Sequence, residues 1–106
     1  RCCRYLVGIR MHTRGMTLDE GIAFFQREAY MERANAEREA MRGTSDPTYL
    51  VYTLGKLQVL KLREDYRKKL GDQFSLKEFH DRFLGFGCPP IKLIRKEMLG
   101  DDSPTL

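Results

Sequence analysis

Two tetrapeptides, TLDE at Thr17 to Glu20 and SLKE at Ser75 to Glu78, spell the same helix start twice. In each, a hydroxyl residue can accept from the amide three residues on, while the glutamate there reaches back. Apolar residues then recur at helical spacing: Leu18, Ile22, Phe25 and Ala29 after the first, and Leu76, Phe79, Phe83 and Leu84 after the second. No stretch alternates apolar and polar residues with a period of two, so nothing here reads as a strand. The fold class is all-α, with five to six helices in an irregular array.

The remaining punctuation agrees. Cys2 to about Thr13 reads as a first helix, stopped by Gly15 in a left-handed conformation. The second helix runs from the first capping box to about Tyr30. MERANAEREAMR, with many charges and few large apolar residues, predicts a short exposed helix ending at Gly43. Asp46 as N-cap and Pro47 at the first helical position open the longest element, which runs to Leu70. Leu50, Val51, Leu54, Leu57 and Leu60 are its expected apolar face, and Gly55 inside it suggests close approach of a backbone or ligand. Pro89 and Pro90 start a last helix with Ile91, Ile94 and Met98 inward, closed by Gly100. Residues 1–100 are read as a single helical domain and 101–106 as a disordered tail.

The 106 residues suffice for one small core, and 42% hydrophobic content supports it. With 19 Lys+Arg against 15 Asp+Glu, the net charge is +4, and the signs interleave, as in KLREDYRKK at Lys61 to Lys69. Interleaving marks a solvated helix face rather than a phosphate-binding stripe, so no nucleic-acid partner is expected. No apolar run reaches the roughly 18 residues a membrane span needs. Cys2, Cys3 and Cys88 read as free, mostly buried thiols. The chain opens on apolar, helical residues with no initiator methionine and no cap, which reads as a cut through a longer protein.

Chemistry is thinly signalled. The metal, P-loop and nucleophile-elbow patterns are missing, and the two histidines, His12 and His80, lie far apart. His80, between Phe79 and Phe83, reads as a structural histidine at the core edge. Tyr49 and Tyr52, three residues apart at the start of the long helix, share a face.

Three blocks, RYLVGIRMHTRGMT, RGTSDPTYLVYTLGKLQVLKLRE and GDQFSLKEFHDRFLGFGCPP, resemble in order and spacing the C-terminal part of the bacterial domain-of-unknown-function family 885. Its members look like large helical zinc-dependent peptidases whose metal motif lies upstream of such a segment. The resemblance therefore implies a C-terminal lobe that closes a substrate cleft and supplies oxyanion-stabilising side chains, with zinc in the full-length parent but no cofactor in this chain. His12 and Tyr52 would be the catalytic donors, and Arg42 and Tyr49 would bind substrate. The implied partners are the N-terminal remainder of the parent and a peptide substrate, and the chain alone is expected to be inactive. The chain carries glycine at 8 and 43 where many members have aspartate and tyrosine. The alternative is a stand-alone helical protein-interaction module without catalytic activity.

Overall fold

The computed structural model describes residues 1–106 and is all-α. Six helices follow in order: α1 (Cys2–Arg14), α2 (Leu18–Ala29), α3 (Arg33–Ser45), α4 (Val51–Leu70), α5 (Leu76–Gly85) and α6 (Ile91–Leu99). Single 3₁₀ turns at Pro47–Leu50 and Gly71–Gln73 bracket α4. None of the helices is long and apolar enough to cross a membrane.

The chain forms two compact units, Arg1–Leu54 and Gly55–Leu106. The core of the first comprises Val7, Ile22, Phe24, Phe25, Ala36 and Ala40, with Met11, Met16 and Leu18 packed against it. The second is built on Leu62, Tyr66, Phe79, Ile94 and Met98. There Phe79 stacks on Phe83 at 5.9 Å between ring centroids and lies 6.1 Å from Tyr66, the spacings at which aromatic pairs add to simple burial.

The capping box at Thr17 is complete: its hydroxyl accepts from the Glu20 amide at 3.3 Å, and the Glu20 carboxylate accepts from the Thr17 amide at 2.8 Å. At Ser75 the hydroxyl accepts from the Glu78 amide. Gly15 ends α1 at φ 67°, where a residue without Cβ is unstrained. α2 ends instead on Tyr30 at φ 53°, the one non-glycine residue of positive φ, which is almost fully exposed.

Four expectations are corrected. α3 neither ends at Gly43 nor lies exposed: it runs to Ser45, and Ala36 and Ala40 are completely buried. Their small side chains let α3 pack closely on α1 and α2, so a scarcity of large apolar residues here reflects close packing rather than exposure. The long helix begins with a 3₁₀ turn, not an α turn, although Asp46 caps it as expected by accepting from the Thr48 amide at 2.9 Å. Its expected apolar face is largely open, since Val51, Leu57 and Leu60 are exposed and burial falls instead on Leu62 and Tyr66. A Cβ at Gly55 would meet open space, so no close approach explains that glycine.

Smaller differences follow the same logic. Cys2 and Cys88 are exposed free thiols, and only Cys3 is partly buried. His80 is exposed and packs its ring edge against Phe79 at 5.4 Å. Past α6, Ser103 accepts from Arg95 and Thr105 accepts from Gln58.

Candidate functional site

Of the residues singled out from sequence, His12 and Arg42 gather around Tyr49 and Tyr52 stands apart. The 3₁₀ turn that Asp46 caps and Pro47 opens delivers the Tyr49 ring between α1 and α3. Added Cβ atoms at Gly8 and Gly43 would lie 3.2 Å from Tyr49 Cβ and Cε2 respectively, so both helices must be bare where the ring enters. The ring is buried and its hydroxyl donates to the Glu39 carbonyl at 3.0 Å. Burial, with Glu39 nearby, pushes the phenol pKa up. Tyr49 thus holds α1, α3 and the turn together.

Around this ring stand two guanidiniums. Arg4 lies 5.9 Å from its centroid and Arg42 5.8 Å, within cation–π range. Arg4 is further fixed by a two-pronged pair with Glu39, at 2.7 and 2.6 Å, which raises its pKa. Arg42 is looser: its side chain is 64% exposed and reaches Asp46 only at 3.8 Å. The Asp46 carboxyl is itself held below its usual range, chiefly by the hydrogen bonds it accepts from Thr48.

His12 stands at the far end of α1, where its Nε2 lies 2.8 Å from the Gly43 carbonyl oxygen. A carbonyl only accepts, so Nε2 carries the proton in this contact. The bond fixes the backbone beside Arg42. Tyr52, one turn beyond Tyr49, is 66% exposed, with the Arg1 guanidinium 4.7 Å over its ring.

The structure therefore joins His12, Arg42 and Tyr49 through the Gly43 segment, while Tyr52 lies at the other end of α1. About 16 Å of helix axis separates Arg1 from His12 at 1.5 Å per residue. The Arg4–Glu39 pair, 35 residues apart, escaped the sequence reading because no local pattern links its members. The two glycines against Tyr49 were the only available signal.

No three His, Cys, Asp or Glu side chains converge to hold a metal ion. What the arrangement offers is an exposed guanidinium anchored on an aromatic ring and an exposed phenol beside a second guanidinium. These groups can bind carboxylates and donate hydrogen bonds to oxygen.

No curated protein and no solved structure matches the chain. Residues 1–98 match the family described as bacterial protein of unknown function (DUF885). The match spans both compact units and every residue of the Tyr49 cluster, and the chain belongs to this family.

Proposed function

We propose that this chain is the C-terminal helical lobe of a zinc-dependent peptidase and supplies polar side chains to its substrate cleft. The metal ligands would come from outside these residues, and the chain alone would be inactive. The metal would supply Lewis-acid chemistry when bound. The resemblance of the sequence blocks prompts the reading, and the division of labour between the two tyrosines carries it. Tyr49 spends its hydroxyl on Glu39, whereas Tyr52 presents its phenol to solvent beside a cation.

In this reading Tyr52 donates a hydrogen bond to a substrate carbonyl oxygen as that oxygen gains negative charge, an interaction stronger in the transition state than in the ground state. Arg42, exposed and within cation–π range of the Tyr49 ring, pairs with a substrate carboxylate. His12 acts as a positioning residue through Gly43, because its Nε2 proton is already donated there.

Arg42 gives the test. The full-length protein would be assayed on matched peptides with free and amidated C-termini. Arg42→Ala is expected to raise KM about tenfold or more for the free acids and to leave the amides unchanged. Equal effects on both peptide sets would remove the carboxylate-binding role.

A further inference from the structure

The turn at Gly15 leaves a groove of about 900 Å³ between α1 and α2, on residues separate from the Tyr49 cluster. Leu6, Ile9 and Met16 contribute accessible apolar lining, the buried Phe24 ring lies beneath, and Arg10, Arg14 and Arg27 stand along it. The Arg10 and Arg27 guanidiniums lie 5.2 and 5.8 Å from the Phe24 ring centroid. Charge here is unbalanced. The one carboxylate lining the groove, Glu20, is committed to the Thr17 amide and hydroxyl at 2.8 and 3.0 Å. Arg27 pairs with Glu28 at 2.7 Å. Arg10 and Arg14 enter none of the chain's ion pairs.

Arg10 and Arg14 are four residues apart on one helix, so they sit on the same face about 6 Å apart along the axis. Two glutamates four residues apart on a facing helix have the same spacing. A groove between two packed helices is also the shape into which a third helix lays its apolar stripe. The apolar lining gives a phosphate backbone nothing, and the arginines flank an aromatic ring instead of tracking a line of phosphates.

We propose that the groove between α1 and α2 docks an acidic amphipathic helix of a protein partner, its apolar stripe on Leu6, Ile9 and Met16 and its carboxylates on Arg10 and Arg14. The contact is electrostatically steered and therefore weakens with salt. It is independent of the peptidase reading, since none of its residues belongs to the Tyr49 cluster.

The test is fluorescence anisotropy with a labelled helical peptide that carries leucine at every third and fourth position and glutamate on the flanks. A second peptide has lysine in place of each glutamate. The acidic peptide is expected to bind saturably and to weaken as salt rises from about 0.05 to 0.3 M. The lysine peptide is expected not to bind. Arg10→Gln with Arg14→Gln, which keeps good helix formers at both positions, is expected to lower affinity about tenfold or more. Circular dichroism would verify folding of the variant, and the salt titration on the unaltered protein decides the matter should the variant fail to fold. Equal binding of both peptides, absence of salt dependence, or unchanged affinity in a folded double variant would overturn the proposal. So would tighter binding of a short DNA duplex that competes the peptide away.

Discussion

His12 Nε2 donates to the Gly43 carbonyl across 2.8 Å, tying the last turn of α1 to the last turn of α3. The two residues are 31 positions apart, and the bond closes the unit at the point where Tyr49 enters it. A backbone carbonyl near a helix C-terminus lacks an obvious intrahelical partner, so the imidazole N–H fills a need that the fold creates.

Removing that donor has a bounded cost. His12→Ala is expected to destabilise the protein by about 1 kcal/mol, the usual net value of one hydrogen bond at a water-accessible site. Urea unfolding of the two proteins side by side measures it. No change in midpoint would show that water replaces the imidazole without loss.

Two glycines inside helices should respond in opposite directions to alanine. Gly8→Ala brings a methyl group 3.2 Å from Tyr49 Cβ, an atom that cannot move without its backbone, and is expected to cost about 1–3 kcal/mol. Gly55→Ala meets open space within α4 and is expected to stabilise by about 0.5–1 kcal/mol through helix propensity. Thermal unfolding of both variants provides the comparison, and a destabilised Gly55→Ala would mean that some contact at that position has been overlooked.

These glycines also mark the limits of reading the chain as a sequence. The N-caps at Thr17 and Ser75 and the stops at Gly15 and Gly100 were legible because helix ends are decided by residues three or four positions apart, although at Ser75 only the hydroxyl half of the expected box forms. The burial of α3 was not. Alanine is the residue of both close packing and indifferent exposure, and only the partner helix distinguishes them. The same holds for the site. His12, Arg42, Tyr49 and Tyr52 were identifiable as individual residues, but the assignment of Tyr49 to packing depends on Glu39 and Gly8. Glycine at 8 and 43 now has a local reason. Larger side chains at either place would displace the Tyr49 ring.

In the second unit, Arg95 is the charged residue at risk. Its side chain is only 5% exposed, it lies 2.8 Å from Asp65 and donates to Ser103, and its Nη1 is buried without a partner. Asp65→Ala is expected to cost about 2–3 kcal/mol, because it leaves that buried guanidinium only Ser103 and, at 3.9 Å, Asp101, whereas Arg95→Met should cost less because it removes the charge along with the need. The Asp65 carboxyl is held below its usual range, first by its bond to Lys61 and then by Arg95. A depressed folded-state pKa stabilises above the unfolded value, near pH 4, and that contribution disappears as pH falls through the folded value. Asp65→Asn should therefore flatten the loss of stability on acidification below about pH 4. Denaturation midpoints across that range, for the protein and both Asp65 variants, would expose any failure of this ordering.

In the proposed division of labour Tyr52, not Tyr49, faces the substrate. The most direct test is steady-state hydrolysis of a defined peptide by the full-length protein and its Tyr52→Phe variant. The variant is expected to show a kcat about 10²-fold lower or more with KM nearly unchanged and unfolding midpoints alike, because one donor to a developing oxyanion is lost and nothing in the core is touched. Equal kcat values, or no hydrolysis of peptides by the intact protein, would contradict this division of labour.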